Sequence, residues 1–340
     1  MRLLVTGAAG FIGSHFVRHA LQERPDAQVG VFDALRYSGN RSTMADFADR
    51  TEFFHGEIQN HRFVEDAFSK FRPSHLVNFA AESHNDRSFL DSSGFVETNV
   101  LGVQTLLDAA RRHSLERVLH VSTDEVYGSI SEGRFTEDSP FRPNTPYSAA
   151  KAGGDLLCRA HWKSFGTPVT VTRGGNTYGP YHFPEKLVPF FCTRLLRAKK
   201  VPLYGEGGQS REWIHVEDHV AGIWTALTRG EPGQAYNVGD DNERTNLTVV
   251  RLMLAELGLD ESLVKRIPDP RKGGHDSRYS MECSKLRELG WTPRVGFEEG
   301  LRATVRWFRE REDWWGPLVD REDTQEFFQR FYGPGLGGDL

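Results

Sequence analysis

Leu3-Leu4-Val5-Thr6-Gly7-Ala8-Ala9-Gly10-Phe11-Ile12-Gly13 is the stretch that decides the fold. The short apolar run reads as a buried strand, Leu3–Thr6, and Phe11–Leu21 reads as the helix that follows. The glycines between them permit a tight turn and a close approach of backbone to a pyrophosphate. The helix start adds free N–H groups and a partial positive charge. The spacing is Gly-x-x-Gly-x-x-Gly, not the simplest dinucleotide fingerprint, and a glycine loop alone also fits an ordinary strand-to-helix turn. Asp33, which ends the next strand-like segment, weighs against that plainer reading. A carboxylate there accepts hydrogen bonds from an adenosine ribose and repels a 2′-phosphate, which favours NAD over NADP. Arg36 stands close enough to offer NADP a counter-charge, so NADP stays open on the residues alone.

Working outward, strand-like runs at Gln28–Asp33, Glu52–His55, His75–Phe79, Arg117–Ser122 and Val169–Arg173 alternate with helical patterns. The helices are expected at Arg62–Phe71, Phe95–Arg112 and Tyr147–Phe165. Such alternation implies an α/β, Rossmann-type, doubly wound parallel sheet with ligands beyond the carboxyl ends of its strands. After residue 174 Pro, Gly and aromatic residues interrupt the pattern, with helices expected at Leu187–Arg197, Glu217–Thr228, Leu247–Leu257 and Glu299–Arg311. Residues 1–174 are therefore expected to form the NAD-binding domain, and 175–315 a smaller mixed α/β substrate domain. The chain is expected to cross between them. Residues 316–340 are a C-terminal tail, whose Gly333-Pro334-Gly335-Leu336-Gly337-Gly338 end is expected to be disordered.

The bulk numbers exclude several functions. Of 340 residues 47 are acidic and 42 basic, and a net charge of −5 gives no case for nucleic-acid binding. No apolar run approaches the roughly 18 residues of a membrane helix. The N-terminus lacks a signal peptide's long apolar region. Cys158, Cys192 and Cys283 lie far apart without metal spacing; they read as small buried hydrophobes, no metal is expected, and a reducing cytoplasm fits.

Two clusters carry chemistry. Tyr147 and Lys151 form Tyr-x-x-x-Lys at the start of a helix for which Thr145 is the natural cap and Pro146 the first residue. Four residues apart, they share a face. A nearby ammonium stabilises phenolate, so Tyr147 is expected to have a lowered pKa and to act as a general base towards an alcohol. A surface Tyr–Lys neighbour pair is the plainer alternative. Thr123-Asp124-Glu125 ends a buried strand and delivers two consecutive acids to the sheet's carboxyl edge. Neighbouring carboxyls can hold different protonation states, one donating while the other accepts. Two solvated loop acids are the plainer alternative there.

Gly7–Gly13, Asp33 with Tyr37-Ser38-Gly39-Asn40, Ala80-Ala81-Glu82-Ser83-His84-Asn85-Asp86-Arg87-Ser88, Glu97-Thr98-Asn99-Val100-Leu101-Gly102, Thr123-Asp124-Glu125-Val126-Tyr127-Gly128, Tyr147–Lys151 and Tyr178-Gly179-Pro180-Tyr181-His182-Phe183-Pro184-Glu185-Lys186-Leu187 belong to one pattern. Over residues 1–315 it resembles the dTDP-glucose 4,6-dehydratases of the extended short-chain dehydrogenase/reductase superfamily. The resemblance implies NAD held by Gly7, Gly10, Phe11, Ile12, Gly13, Asp33, Glu57, Ile58, Ala80, Ala81, Ser83, Asn99, Ser122, Tyr147, Lys151 and Thr177. It implies dTDP-glucose held by Ser83 or His84, with Asn176, Glu185, Lys186, Tyr204, Arg211, Asn246, Arg278 and Tyr279. In the reaction it implies, Tyr147, helped by Lys151 and Thr123, takes the C4 hydroxyl proton; Glu125 removes the C5 proton; Asp124 protonates the departing C6 hydroxyl. It also implies a homodimer through Phe95–Arg112 and Tyr147–Phe165. The chain departs from the pattern at Glu57, where Asp is usual, at Asn85 for Val, at Thr177 for Asn, and at Ser277 in His275-Asp276-Ser277-Arg278-Tyr279, where a second Arg is common. A dehydratase of a UDP- or GDP-sugar, a sugar-nucleotide 4-epimerase and a non-catalytic NAD-binding scaffold are the alternatives. The two acids speak against the last two.

Overall fold

The computed structural model describes residues 1–271 and 276–339, so His275 lies outside the described residues. Its frame is a seven-stranded sheet. Six strands come from the first half: β1 (Arg2–Thr6), β2 (Gln28–Asp33), β3 (Thr51–His55), β4 (His75–Asn78), β5 (Arg117–Thr123) and β6 (Val169–Gly174). The boundaries match the sequence reading to within a residue. Two short strands, β7 (Asn176–Tyr178) and β8 (Val201–Tyr204), and β9 (Ser210–His215) follow outside this sheet. The chain then returns: β10 (Ala235–Val238) pairs with β6 and completes the order β10-β6-β5-β4-β1-β2-β3. Every pairing in this sheet is parallel.

Parallel strands covered on both faces are apolar along their whole length, and Leu3, Leu4 and Val5 are all fully buried. Leu3 and Val5 face a core shared with Phe16, Val17, Val220, Ile223 and Trp224. These come from helices Phe11–Glu23 and Val216–Arg229. Leu4 faces Val64, Phe68, Leu106 and Leu107 on the other side. Strand order reverses direction at β1, between β4 and β2, and there the carboxyl ends leave a crevice for a ligand.

Most of the described residues after 175 outside the returning segment build a second lobe, while Met281, Cys283, Leu286 and Trp291 pack into the first core. β11 (Glu243–Thr245) and β7 flank β9, and β12 (Val264–Ile267) pairs with β8. A third core, with Phe190, Phe191, Trp213, Met253, Phe308 and Trp315, lies under helices Leu187–Leu196, Asn246–Leu257 and Phe297–Glu310.

Two expectations need correction. The segment 95–112 is not one uniform α-helix: Ser93–Val96 and Val103–Arg112 are joined by a π-helical turn, Glu97–Gly102. Gly102 sits where a Cβ would meet Ile58 at 2.6 Å. The tail is not disordered. Glu322–Leu336 is a helix that presents Phe327, Phe328, Tyr332 and Leu336 to the third core, and Lys265 Nζ caps the Leu336 carbonyl at 2.7 Å. Gly335 is where the helix crosses β12: a Cβ would lie 2.6 Å from Ile267. Leu336 is fully buried, so Leu336→Ala should cost about 2–5 kcal/mol in urea unfolding. An unchanged midpoint would mean that the tail is frayed after all.

Candidate active site

The glycine loop is shaped by contacts no side chain would survive. Gly7 has φ +69°, and a Cβ on it would lie 2.5 Å from the Ala80 nitrogen just past β4. A Cβ on Gly13 would collide with the Gly7 carbonyl and lie 2.9 Å from Ala8 Cα. The loop is tied to β2 by Asp33, whose carboxylate accepts the N–H groups of Ala9 at 2.9 Å and Leu35 at 2.8 Å. Burial raises its pKa, and these two N–H bonds oppose that shift. Arg36 is held between Glu57 at 2.8 Å and Glu82 at 2.9 Å. Both of its counter-charges are already supplied, which removes the main argument for NADP. The Glu57 departure thus has a use within the protein itself.

A cavity of about 350 Å³ runs from this loop to the end of β5. Its lining includes Gly7, Gly10, Phe11, Ile12, Gly13, Asp33, Glu57, Ile58, Ala80, Ala81, Ser83, Ser122 and Thr177, together with Thr123, Asp124, Glu125, Tyr147 and Lys151. A glycine cradle at a helix N-terminus and a buried ribose-side acid fit NAD. Asn99 is not on the wall. It is buried and braces the chain, exchanging hydrogen bonds at 2.9 Å with both the N–H and the carbonyl of Glu82.

Tyr147 and Lys151 stand on the helix Pro146–Phe165, which begins as its sequence indicates: Thr145 and Ser148 form a reciprocal cap, with Pro146 in the first turn. The acidity expected of Tyr147 is not found. Burial, then the charges of Glu125 and Asp124, raise its pKa, and a hydrogen bond with Thr123 opposes them only in part. The Lys151 ammonium donates to the Val121 carbonyl at 2.7 Å. Burial pushes its own pKa down to about 8.

The two acids differ. Asp124 is buried, with Oδ1 accepting from Thr123 at 3.2 Å and Oδ2 without a hydrogen-bond partner. Burial, then Glu125 and Glu212, hold its pKa well above the usual carboxylate range. Glu125 is half-buried and is also raised by burial, but Lys186 and Arg211 pull it back. Its Oε2 accepts from Asn85 Nδ2 at 2.9 Å.

A second cavity, about 160 Å³, shares Glu125, Asn176, Glu185 and Lys186 with the first. It brings in His84, Tyr204, Arg211, Asn246 and Tyr279 as expected. Arg278 is absent from its wall: the guanidinium turns to Glu243 at 2.7 and 2.6 Å and to the Gly133 carbonyl. The sequence reading missed Asp86, Arg271 and Tyr332, which do line it. Asp86 lay inside a quoted motif, whereas Tyr332 is brought in by the tail helix, where no local signal points to a site. Tyr332 donates to Asp86 Oδ2 at 3.0 Å. His84 bridges the same wall, its Nε2 bonded to the Glu185 carbonyl at 3.0 Å and its Nδ1 accepting from the Arg87 N–H. That pattern makes it a neutral imidazole protonated at Nε2. Burial, then Lys186, hold its pKa well below the usual histidine range. Among the described residues no group of three or more His, Cys, Asp or Glu is placed to hold a metal ion. No described helix is long and apolar enough to cross a membrane.

A doubly wound sheet with Tyr-x-x-x-Lys at its carboxyl edge and a second cavity between sheet and second lobe defines the extended short-chain dehydrogenase/reductase class. The family described as GDP-mannose 4,6 dehydratase matches residues 4–304. A dTDP-glucose 4,6-dehydratase of Streptomyces niveus is 47% identical over 95% of this chain and 97% of its own length. A dTDP-glucose 4,6-dehydratase from Streptomyces venezuelae, crystallised with NAD bound, superposes with a TM-score of 0.90 at 49% identity, covering 94% of this chain and 100% of that one. A UDP-glucose 4-epimerase of Thermus thermophilus, also solved with NAD, is more distant at 34% identity, TM-score 0.85, covering 92% and 100%. The chain belongs to the dTDP-glucose 4,6-dehydratase family, whose members are NAD-dependent hydro-lyases.

Gly13→Ala places a methyl group against two backbones, so it should abolish NAD binding in equilibrium dialysis. An unchanged dissociation constant would show that the loop can open without loss and is not the cofactor cradle.

Proposed function

We propose that this enzyme converts dTDP-glucose to dTDP-4-keto-6-deoxyglucose. The observation that carries the reading is the unlike pair Asp124 and Glu125 facing one cavity with Tyr147 and Lys151. Bound NAD⁺ supplies the acceptor and later the donor of a hydride and, while oxidised, a positive charge. Tyr147, steadied by Thr123, receives the proton of the C4 hydroxyl, and the Lys151 charge assists. Burial and the charges of Glu125 and Asp124 make Tyr147 a poor acid in the free protein, so its ionisation belongs to the loaded site. A C5 proton is far too weakly acidic until C4 is a ketone, so oxidation precedes its removal by Glu125. Asp124 is held protonated by burial and by two neighbouring acids, and its unpartnered Oδ2 is the group to protonate the C6 hydroxyl as water leaves. An epimerase has no use for such a pair. Lys186 and Arg211 are assigned to the diphosphate and Glu185 to a base edge.

A C4-deuterated sugar tests this directly. In ordinary water dTDP-glucose so labelled should give product lighter by one water with deuterium at C6, and UDP-glucose and GDP-mannose should turn over more slowly. Tyr147→Phe should stop oxidation, whereas Asp124→Asn should oxidise C4 but lose about 10²–10⁴ in overall rate. Release of the label into solvent would refute the reading.

We also place the enzyme in the cytoplasm as a homodimer. The three buried cysteines are free thiols. Val96 and Leu101 on the first bundle segment, and Leu156 and Phe165 on the helix that carries Tyr147, are 47–55% exposed. Large apolar groups clustered on two packed helices are what a four-helix bundle with a second copy covers. Light scattering at micromolar concentration should give twice the chain mass, and Leu156→Glu should give one.

A further inference from the structure

Lys186, Arg211 and Arg271 act on Glu125 through their charge, but among the described residues no cation forms an ion pair or hydrogen bond with it. Lys186 Nζ donates to the Ser83 carbonyl, and the Arg211 guanidinium to the carbonyls of Asp276, Ser277 and Ser210. The side-chain hydrogen bond recorded for the Glu125 carboxylate comes from Asn85 Nδ2, at 2.9 Å. Because a carboxylate only accepts, this contact also fixes which end of the Asn85 amide points at it. Asn85 Oδ1, on the other end, is buried without a partner, so the amide is not placed there for its own satisfaction.

Asn85 is itself held firmly. It opens the four-residue helix Asn85–Ser88, and the Ser88 hydroxyl donates to its carbonyl at 2.7 Å. On one side His84 is fastened to the Glu185 carbonyl, and on the other Asp86 is fastened to Tyr332. The residue that meets Glu125 is thus part of the substrate wall.

We propose that Asn85 is the positioning residue of the C5 base: its amide fixes the Glu125 carboxylate in place and leaves Oε1 as the freer oxygen. This rests on the reading that Glu125 is that base. Nδ2 can only donate, so Oε2 remains an acceptor whether Glu125 is ionised or protonated. Oε1 carries no such bond, so the proton is assigned to it: the C5–H bond breaks, the new O–H forms on Oε1, and the electron pair moves into the enolate of the C4 ketone. A Lys or Arg in the same place would orient Glu125 as well but would lower its pKa by roughly 1–3 units and weaken it as a base. A neutral amide orients without that cost. It also gives a purpose to one of the chain's departures from its family's pattern.

The test compares Asn85→Leu, similar in size but without a donor, and the isosteric Asn85→Asp with Glu125→Gln. For Asn85→Leu we expect a KM for dTDP-glucose within about threefold of the parent and a kcat lowered about tenfold or more, a part of the roughly 10²–10⁴ a general base supplies. C4 oxidation should then outrun C5 deprotonation. The near-ultraviolet absorbance of reduced nicotinamide should rise in the steady state, and solvent deuterium should enter C5 more slowly. Asn85→Asp should do the same more strongly, since a second carboxylate replaces the donor. Wild-type exchange in Asn85→Leu, or a uniform loss of rate without accumulated reduced nicotinamide, overturns the proposal. If Asn85→Leu fails to fold by circular dichroism, Asn85→Asp decides on the same readings. Unimpaired C5 exchange in Glu125→Gln would instead remove the base assignment, and the proposal with it.

Discussion

Two backbones meet where β1 ends, so close that any Cβ on Gly7 would lie 2.5 Å from the Ala80 nitrogen. Everything that gives the cavity its shape follows from that approach. β4 must lie beside β1, so that Phe79 and Ala80 arrive at the loop. β2 must lie on the other side, so that Asp33 reaches back to Ala9. Because all strands run the same way, β5 then delivers Thr123, Asp124 and Glu125 to the same edge. A close contact of a few atoms is thereby tied to the placement of side chains more than a hundred residues further along.

The acid pair shows how one environment can separate two adjacent carboxyls. Asp124 is buried and faces other acids, so its neutral form is favoured despite the hydrogen bond from Thr123. Glu125, one residue on, lies where Lys186 and Arg211 oppose its burial, and an amide holds it. The difference arises from the second lobe. Lys186 begins the helix Leu187–Leu196, and Arg211 lies on β9. The sheet brings the acids together, and the lobe beyond it assigns them different work.

What the sequence revealed and what it concealed divide along the range of the interactions involved. Continuous apolar runs, glycine spacing, the Thr145–Pro146 cap and the Tyr147–Lys151 interval are local, and each was readable. The failures were of long range. Arg278 looked like a phosphate ligand by residue type, but Glu243 lies beside it and takes both arms of its fork. Asn99 looked like a cofactor contact and proved to be a brace. Tyr147 was expected to be acidic because Lys151 is four residues away, yet desolvation and the charges at 125 and 124 raise its pKa. The glycine-rich end was expected to be disordered as a chain terminus, whereas Gly335 packs so closely that a Cβ would lie 2.6 Å from Ile267.

That last helix has a consequence for how the protein is born. Tyr332 stands on the wall of the second cavity and is bonded to Asp86, 246 positions earlier in the chain. Domains form largely in the order in which the ribosome delivers them, at about 5–20 residues per second. The sheet and its glycine loop have all their residues by Val238, with the acids already at their edge. The pocket beside them has no far wall until the segment 322–336 has emerged. A nascent chain thus has every residue of the cofactor cavity before it has those of the sugar's, and Glu125 borders a cavity that lacks one wall until the final helix arrives.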